Sequence, residues 1–224
     1  MMRSWGNRPD TAVIDEPFYP HYLKVTGADH PAADEVITAG DTDWRKVVEQ
    51  LTGNPPGGKP IYYQKQMTHH FLPHIEPGWL ASLTNCFLIR EPRSVIASYI
   101  KKNHEPSAED VGFPQQADIF DSVRAQTGNV PPVIDAEDVL KDPRRTLTLL
   151  CEAVGVEFTD AMLSWAPGLR ETDGVWAKHW YTEVVGSTGF RAPSTQRAEL
   201  PERVRDVYEQ CLAVYERLRA FRLH

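Results

Sequence analysis

Two spacings of apolar residues recur along the chain, one typical of strands and one typical of helices. Short apolar or β-branched runs predict strands at residues 12–14, 61–66, 86–89 and 132–135. The third run, "CFLI", is continuously apolar, which is typical of a strand in a parallel sheet that is covered on both faces. The first run is stopped by Asp15, Glu16 and Pro17, so its end is polar.

Helical spacing fills the intervals between these runs. The opening "MMRSWGNRPD" is typical of the end of a helix that is closed by Gly6 and Asn7. Residues 28–60 predict a helical excursion followed by the loop "GNPPGGKP", and further helices are predicted at residues 93–102 and 114–128. The apolar face of the excursion consists of Trp44, Val47, Val48 and Leu51.

Start and stop signals define the later helices. Asp142 is a predicted N-cap, Pro143 occupies the first turn and Gly155 follows the last turn, while Gly128 closes the preceding helix. The C-terminal segment predicts an amphipathic helix with one apolar stripe, formed by Val204, Val207, Tyr208, Cys211, Tyr215 and Leu218. Strands that alternate with helices predict an α/β fold with a parallel sheet.

Length and composition favour one globular domain, residues 1–224, without internal repeats. The balance of 24 basic and 31 acidic residues gives a net charge of −7, which argues against nucleic acid or an anionic membrane as the partner, although a local basic pocket is compatible with it. No apolar run reaches the roughly 18 residues of a membrane span, and no signal peptide is expected. Cys86, Cys151 and Cys211 stand apart in apolar surroundings, which predicts reduced core thiols and a cytoplasmic location.

In parallel α/β sheets, ligands bind beyond the carboxyl ends of the strands, and Arg90 lies at such an end. Pro92 then opens a helix, so we expect the guanidinium beside free backbone N–H groups that attract an anion such as phosphate. Ser98 lies four residues after Ser94, on the same helical face, and its hydroxyl could donate to a phosphate oxygen. The alternative is that Arg90 pairs with a nearby acid and that Ser98 faces solvent.

Two more strand ends carry charged residues. Glu16, which is held by the following proline, is a candidate general base, and Asp15 is expected to cap or to pair. Lys65 ends the next strand, where it either contacts an anion or is simply solvated.

Histidines and tryptophans supply weaker signals. His69 and His70 are adjacent in "THHF", with His74 nearby, a spacing that does not indicate a metal site. One of them could accept a proton, and a structural hydrogen bond is the alternative for each. The segment "DGVWAKHWY", residues 173–181, is either a flap over a planar or anionic ligand or an aromatic surface cluster.

Several of these segments together resemble the sulfotransferase family, which uses 3′-phosphoadenosine 5′-phosphosulfate. "FLIREPRSVIASY" resembles the family's 3′-phosphate-binding segment, and "IDEPFY" resembles the Glu-Pro segment that supplies a catalytic glutamate in several branches. "PPVIDAEDVLKDPRRTLTLLCEAVGVEF" is similar to a further family block. The "DEP-aromatic-Tyr", "PPVIDA" and "DGVWA" segments point to an uncharacterised sulfotransferase-like branch.

The resemblance implies a three-layer αβα fold of the P-loop NTPase type. It implies that Arg90 and Ser98 hold the 3′-phosphate, that Lys65 contacts the transferring sulfuryl group and that Glu16 is the base. Trp176 and Lys178 correspond to a loop near the adenine and the 3′-phosphate. The implied reaction moves a sulfuryl group to a hydroxyl or amine of a small-molecule acceptor, without a metal.

Two departures from the family pattern limit what the resemblance implies. Met67 stands where some sulfotransferases have a catalytic histidine, so His69 or His70 would substitute for it, or Glu16 would act alone. The family's first strand and 5′-phosphosulfate loop are expected before Met1, and a sheet without that strand predicts exposed apolar edges and a possible homodimer. The alternatives are therefore a catalytically inactive nucleotide-binding or scaffold protein of this fold, or a P-loop phosphotransferase.

Overall fold

Four strands form two parallel sheets in the computed structural model, which describes residues 1–101, 105–193 and 198–224. Strand β1 (Thr11–Asp15) pairs with β2 (Ile61–Lys65), and β3 (Phe87–Ile89) pairs with β4 (Val133–Asp135). The predicted α/β class with parallel strands is confirmed. Instead of one sheet, the strands that the structure describes form two sheets of two, and Val133 of β4 also makes an isolated parallel bridge with Arg222.

Helices occupy most of the remaining chain. They are α1 (Met2–Trp5), α2 (Tyr19–Thr26), α3 (Ala33–Ala39), α4 (Trp44–Thr52), α5 (Pro92–Tyr99), α6 (Phe113–Thr127), α7 (Ala136–Lys141), α8 (Pro143–Ala153), α9 (Ala177–Trp180), α10 (Thr182–Val185) and α11 (Arg205–Arg219). Short 3₁₀ segments lie at Pro56–Gly58, Thr68–His70, Pro77–Ser82, Asp160–Met162 and Glu202–Val204. In the described part of the chain, no helix is both long enough and apolar enough to cross a membrane.

Contacts divide the chain into two compact units. The first unit comprises Met1–Trp79 and Thr159–Phe190, and the second comprises Leu80–Phe158 and Arg191–His224. Each unit contains one of the two-stranded sheets. The single domain predicted from the sequence stays a prediction.

The first unit has two apolar clusters beside its sheet. One is formed by Phe18, Val47, Leu51 and Ile75, against which Trp44 and Val48 pack, so the predicted apolar face of the helical excursion is confirmed. The other contains Tyr19, Leu23, Val36 and Trp176. The first residues of the chain are also helical as predicted, since they form α1. Trp5 of α1 stacks on Tyr63 of β2 with ring centroids 5.1 Å apart.

In the second unit, helix α11 covers the core with the predicted stripe. Cys211, Tyr215 and Leu218 are buried, and the Tyr215 hydroxyl donates to Asp135 Oδ2 at 2.6 Å. This bond fastens the helix to the end of β4. Because Asp135 also accepts from the Glu137 backbone N–H at 2.9 Å, it starts α7, a helix too short to show a period in the sequence.

The predicted cap residues are confirmed where the backbone requires them. Gly128 ends α6 in the left-handed conformation, with φ of 70°, and the Asp142 carboxylate accepts from the Arg145 N–H at 3.0 Å at the start of α8. The helix predicted at residues 93–102 is α5, which ends at Tyr99. Its predicted last residue, Lys102, lies outside the described residues.

The prediction that "CFLI" is covered on both faces is wrong. Phe87 and Ile89 are buried, but Leu88 is 44% exposed and Cys86 is also exposed. The pleat of a strand sends alternate side chains to opposite faces, and within the second unit only the Phe87 face is covered. The prediction of core thiols is confirmed for Cys151 and Cys211, which are buried, but not for Cys86.

Candidate active site

The carboxyl ends of β1 and β2 lie side by side and bring three predicted site residues together. Asp15 and Lys65 are opposite each other in the parallel register, and the Glu16 N–H donates to the Lys65 carbonyl at 2.9 Å. The Glu16 carbonyl then accepts from the Tyr19 N–H at 2.9 Å, where α2 begins. Both acidic residues are thus fixed by backbone hydrogen bonds at the strand end.

Glu16 adopts a left-handed conformation, with φ of 47°, which costs a residue other than glycine about 1 kcal/mol. Successive residues of an extended strand point to opposite faces, so Asp15 and Glu16 could not both reach Lys65 if the strand continued regularly. The turn at Glu16 swings its carboxylate to the side of Asp15. This backbone strain is what places two neighbouring carboxylates around one ammonium group.

The Lys65 ammonium group uses all of its protons within the site. Its Nζ donates to Asp15 Oδ1 at 3.0 Å, to Glu16 Oε1 in a short contact, and to the hydroxyl of Tyr181 at 2.8 Å. An ammonium group has three protons, and the three acceptors match them. Lys65 is therefore neither solvated nor free in this state, but the centre of a closed charge cluster.

Tyr181 is the fourth member of this charge cluster. Its hydroxyl donates to Asp15 Oδ2 in a short bond while accepting from Lys65, and Glu16 Oε1 lies 3.4 Å away. A phenol has one proton to donate, so the nearer Asp15 oxygen receives it. The sequence provided no signal for this role, because Tyr181 lies at the end of an irregular segment far along the chain.

Burial and charge set the protonation of the cluster. The side chains of Asp15 and Glu16 are 1% and 11% exposed, and that of Lys65 is 26% exposed. Burial raises the pKa of Glu16 against the opposing charge of Lys65, and the charge of Asp15 acts in the same direction as burial. Burial alone would lower the pKa of Lys65, but the two carboxylates outweigh it and hold this pKa above its ordinary value.

The pKa of Tyr181 is likewise raised, first by burial and then by the charges of Glu16 and Asp15, which outweigh the opposing charge of Lys65. Near neutral pH, the cluster therefore contains a protonated phenol and a permanent cation. It also contains a carboxylate, Glu16, that takes up a proton more readily than an exposed glutamate does.

The three candidate histidines occupy different surroundings. His70 is buried and stacks on Tyr19 with centroids 4.7 Å apart, and burial, His69 and Lys65 together lower its pKa well below the ordinary value. His69 packs edge-on against Tyr22 at 5.5 Å. His74 instead shares a 2.8 Å hydrogen bond with His21, so it belongs to a separate pair.

The segment "DGVWAKHWY" divides between core and surface. Trp176 is 7% exposed and meets Tyr19 edge-on at 5.2 Å, so its ring is part of the first unit's core. A Cβ at Gly174 would lie 2.1 Å from that ring, which explains the glycine. Lys178 is exposed and pairs with Glu35 at 2.6 Å. The first residue of the segment, Asp173, forms a buried ion pair with Arg3 at 2.7 Å.

In the second unit, Arg90 and Ser98 are both exposed, and neither has a hydrogen bond or ion pair with any described residue. The expected free helix N-terminus beside Arg90 is wrong, because the Glu91 carboxylate accepts from the Ser94 N–H at 3.0 Å and caps α5. Across the described ranges, no group of three metal-ligating side chains occurs.

Comparison with known proteins gives a family for this chain. A family model described as a sulfotransferase domain matches residues 1–222. The chain belongs to the sulfotransferase family.

Two curated relatives of this sulfotransferase-family chain come from Arabidopsis thaliana. They are branched-chain-amino-acid aminotransferase-like protein 2, 33% identical over 224 residues, and branched-chain-amino-acid aminotransferase-like protein 1, 34% identical over 224 residues. Each match covers 100% of this chain but only 40% of the relative, so the chain spans less than half of their length.

Solved sulfotransferase domains also resemble the chain. A sulfotransferase domain from the curacin biosynthetic pathway matches with 16% identity and a TM-score of 0.42, over 88% of this chain and 77% of that one. A sulfotransferase domain from the Synechococcus PCC 7002 olefin synthase matches with 15% identity and a TM-score of 0.40, over 86% and 74%.

Proposed function

We propose that the chain transfers a sulfuryl group from 3′-phosphoadenosine 5′-phosphosulfate to a hydroxyl or amine of a small-molecule acceptor. The observation that carries this proposal is the closed cluster of Lys65, Asp15 and Glu16 at the strand ends of a sulfotransferase-family chain. When bound, the nucleotide supplies the activated sulfuryl group.

In this proposal Glu16 is the general base. The oxygen or nitrogen of the acceptor would bond to sulfur while the bond between sulfur and the 5′-phosphate oxygen breaks, so that adenosine 3′,5′-bisphosphate leaves. The Glu16 carboxylate would take up the proton that the acceptor loses. Burial raises the pKa of Glu16, so its carboxylate is a stronger proton acceptor than an exposed glutamate. His70 could also accept a proton, because its lowered pKa keeps the imidazole neutral, but its ring is packed among aromatic rings.

Lys65 is proposed to stabilise the negative oxygens of the transferring group as a permanent cation. Because all three of its protons are already bonded, an incoming anion has to replace one of its partners. Tyr181 is the neutral partner, so we propose that an anionic oxygen takes the place of its hydroxyl at Lys65, while the hydroxyl keeps its bond to Asp15 and both carboxylates stay in place.

Arg90 and Ser98 are proposed to hold the 3′-phosphate. An exposed guanidinium without a partner among the described residues can bind phosphate through two N–H groups, and the Ser98 hydroxyl can donate a further hydrogen bond. Trp176 and Lys178 remain candidates for the nucleotide side only if the segment 173–181 changes its packing on binding, because one is buried and the other is paired.

A titration with adenosine 3′,5′-bisphosphate tests the binding half of the proposal. We expect Arg90→Ala to weaken binding by about tenfold or more and Ser98→Ala to weaken it less. Arg203→Ala, which removes another exposed arginine of the second unit, is the matched control and should bind like the starting protein. No detectable affinity in the starting protein, or equal losses in Arg90→Ala and Arg203→Ala, would contradict the proposal.

A second candidate is a nucleotide-binding protein of the same fold that performs no transfer. The observation that favours it is the saturation of Lys65 within the protein. Sulfuryl transfer from a radiolabelled nucleotide would exclude this candidate. We propose no aminotransferase chemistry, because a lysine that stays protonated among two carboxylates is a poor nucleophile for a carbonyl group.

A further inference from the structure

The two carboxylates of the charge cluster are chemically similar and adjacent in sequence, yet they have different partners. Asp15 accepts from Lys65 through Oδ1 and from Tyr181 through Oδ2, so both of its oxygens are bonded. Glu16 shares Lys65, but the Tyr181 hydroxyl lies 3.4 Å from it and its proton is directed to Asp15. The difference between the two acids therefore rests on where one phenolic proton points.

Hydrogen bonds to a carboxylate stabilise its charged form. Asp15, whose side chain is 1% exposed, has a close donor on each of its two oxygens, whereas Glu16 has one fewer close donor. Enzymes assign different roles to two neighbouring acids by giving them environments that make their affinities for a proton differ.

We propose that Tyr181 is a positioning residue that assigns these roles: its hydroxyl keeps Asp15 as the fixed counter-ion of Lys65 and leaves Glu16 as the proton acceptor. The role of Glu16 as a base rests on the proposed function, but the assignment of charge can be measured without nucleotide or turnover. Tyr181 acts through Asp15 and Lys65, so it is not a catalytic residue in this account.

The aromatic ring of Tyr181 adds a second constraint. Lys65 Nζ lies 5.2 Å from the centroid of this ring, so the side chain contacts the ammonium group with its face as well as with its hydroxyl. A change from Tyr181 to phenylalanine would keep the ring and remove the hydroxyl, and with it the bond to Asp15 and the bond from Lys65. The other titratable groups whose charges act on Glu16 or Lys65 are Tyr19, His70 and the amino group of Met1.

Site-resolved carbon NMR tests the proposal. Carboxyl-labelled aspartate and glutamate would be followed as the pH is lowered, with the signals assigned through Asp15→Asn and Glu16→Gln. In the starting protein, the Glu16 signal should move first while the Asp15 signal stays constant. In Tyr181→Phe, the two signals should move over the same pH range, because Asp15 has lost its second donor.

Tyr62→Phe is the matched control, because the Tyr62 hydroxyl is buried in β2 without a hydrogen-bond partner among the residues described. It should reproduce the starting protein. An Asp15 signal that moves before or together with that of Glu16 in the starting protein would overturn the proposal, and this result does not depend on whether Tyr181→Phe folds. An unchanged order in folded Tyr181→Phe would overturn it as well.

These outcomes are separable from a failure of the proposed function. If the NMR order is as expected but adenosine 3′,5′-bisphosphate does not bind, the charge assignment stands and the transferase proposal fails. If the nucleotide binds but the order is reversed, the transferase proposal survives and Tyr181 has no positioning role.

Discussion

The strand ends of the two sheets carry charged residues in opposite states. At β1 and β2, Lys65 is enclosed by two carboxylates and a phenol, and every proton of its ammonium group is bonded. After β3, Arg90 is exposed and has no partner in the described chain. A closed cluster fixes the geometry of its side chains, whereas the position of an exposed guanidinium is not fixed by any hydrogen bond or ion pair with the described residues.

The comparison predicts that losing Lys65 has the largest effect on stability. Lys65→Met leaves two nearly buried carboxylates without their cation, and we expect the free energy of unfolding at neutral pH to fall by about 3 kcal/mol. Urea denaturation measures this change. Lys141→Met removes an exposed lysine that pairs with Glu137, and it should cost less than about 0.5 kcal/mol. Equal losses in both variants would show that the cluster is not closed.

The segment that delivers Tyr181 to the cluster depends on a glycine. Gly174→Ala would place a methyl group about 2 Å from the Trp176 ring, where something must shift. We expect a loss of about 2 kcal/mol and a lower melting temperature. Gly78→Ala is the matched control, because no atom lies within 4 Å of its added methyl group. A melting temperature in Gly174→Ala that equals the control would contradict the packing of this segment.

Glu16 should make the stability of the protein depend on pH in a direction that distinguishes a buried acid from an exposed one. Its pKa in the folded state is raised above the ordinary value of 4.5, so the folded protein holds a proton there that the unfolded chain has lost. Its contribution to stability therefore falls as the pH rises from 4.5 through the folded pKa.

Glu16→Gln removes this titration, so its stability relative to the starting protein should increase between about pH 4 and about pH 8. Denaturation curves at the two pH values measure the difference. Glu137→Gln, which changes an exposed carboxylate, should show no comparable gain. A gain for Glu16→Gln that shrinks as the pH rises would mean that burial does not dominate at this position.

Arg90 should contribute almost nothing to folding. Because it is exposed and makes no hydrogen bond or ion pair with the described residues, Arg90→Ala should change the free energy of unfolding by less than about 0.5 kcal/mol. A thermal melt without ligand checks this expectation. A loss well above that value would show that the residue has a structural partner and would remove the contrast with Lys65.

The sequence predicted the strand ends because the carboxyl ends of parallel strands collect ligand-binding groups, and Glu16 and Lys65 do meet there. It also contained the capping residue Glu91, since an acid directly before a proline at the first turn is typical of a helix start, but phosphate was expected in that place. Tyr181 could not be predicted, because its contact with Asp15 spans 166 positions and no period in its segment reports which side chain turns inward.

The exposed Leu88 was missed for a related reason. A continuously apolar run indicates a buried strand, but it does not report which elements cover each face. Trp176 could equally have been a surface ring or a core ring, and only its packing against Tyr19 decides between them.

Sulfuryl transfer from the radiolabelled nucleotide to a panel of small phenols, alcohols and amines decides whether the chain is a transferase with Glu16 as its base. We expect transfer by the starting protein and a loss of at least about 100-fold in Glu16→Gln, while the affinity for adenosine 3′,5′-bisphosphate stays unchanged. Glu137→Gln, the exposed control, should keep the full rate. Nucleotide binding without any transfer would contradict the proposed transferase activity, and full transfer by Glu16→Gln would contradict the role of Glu16 as the base.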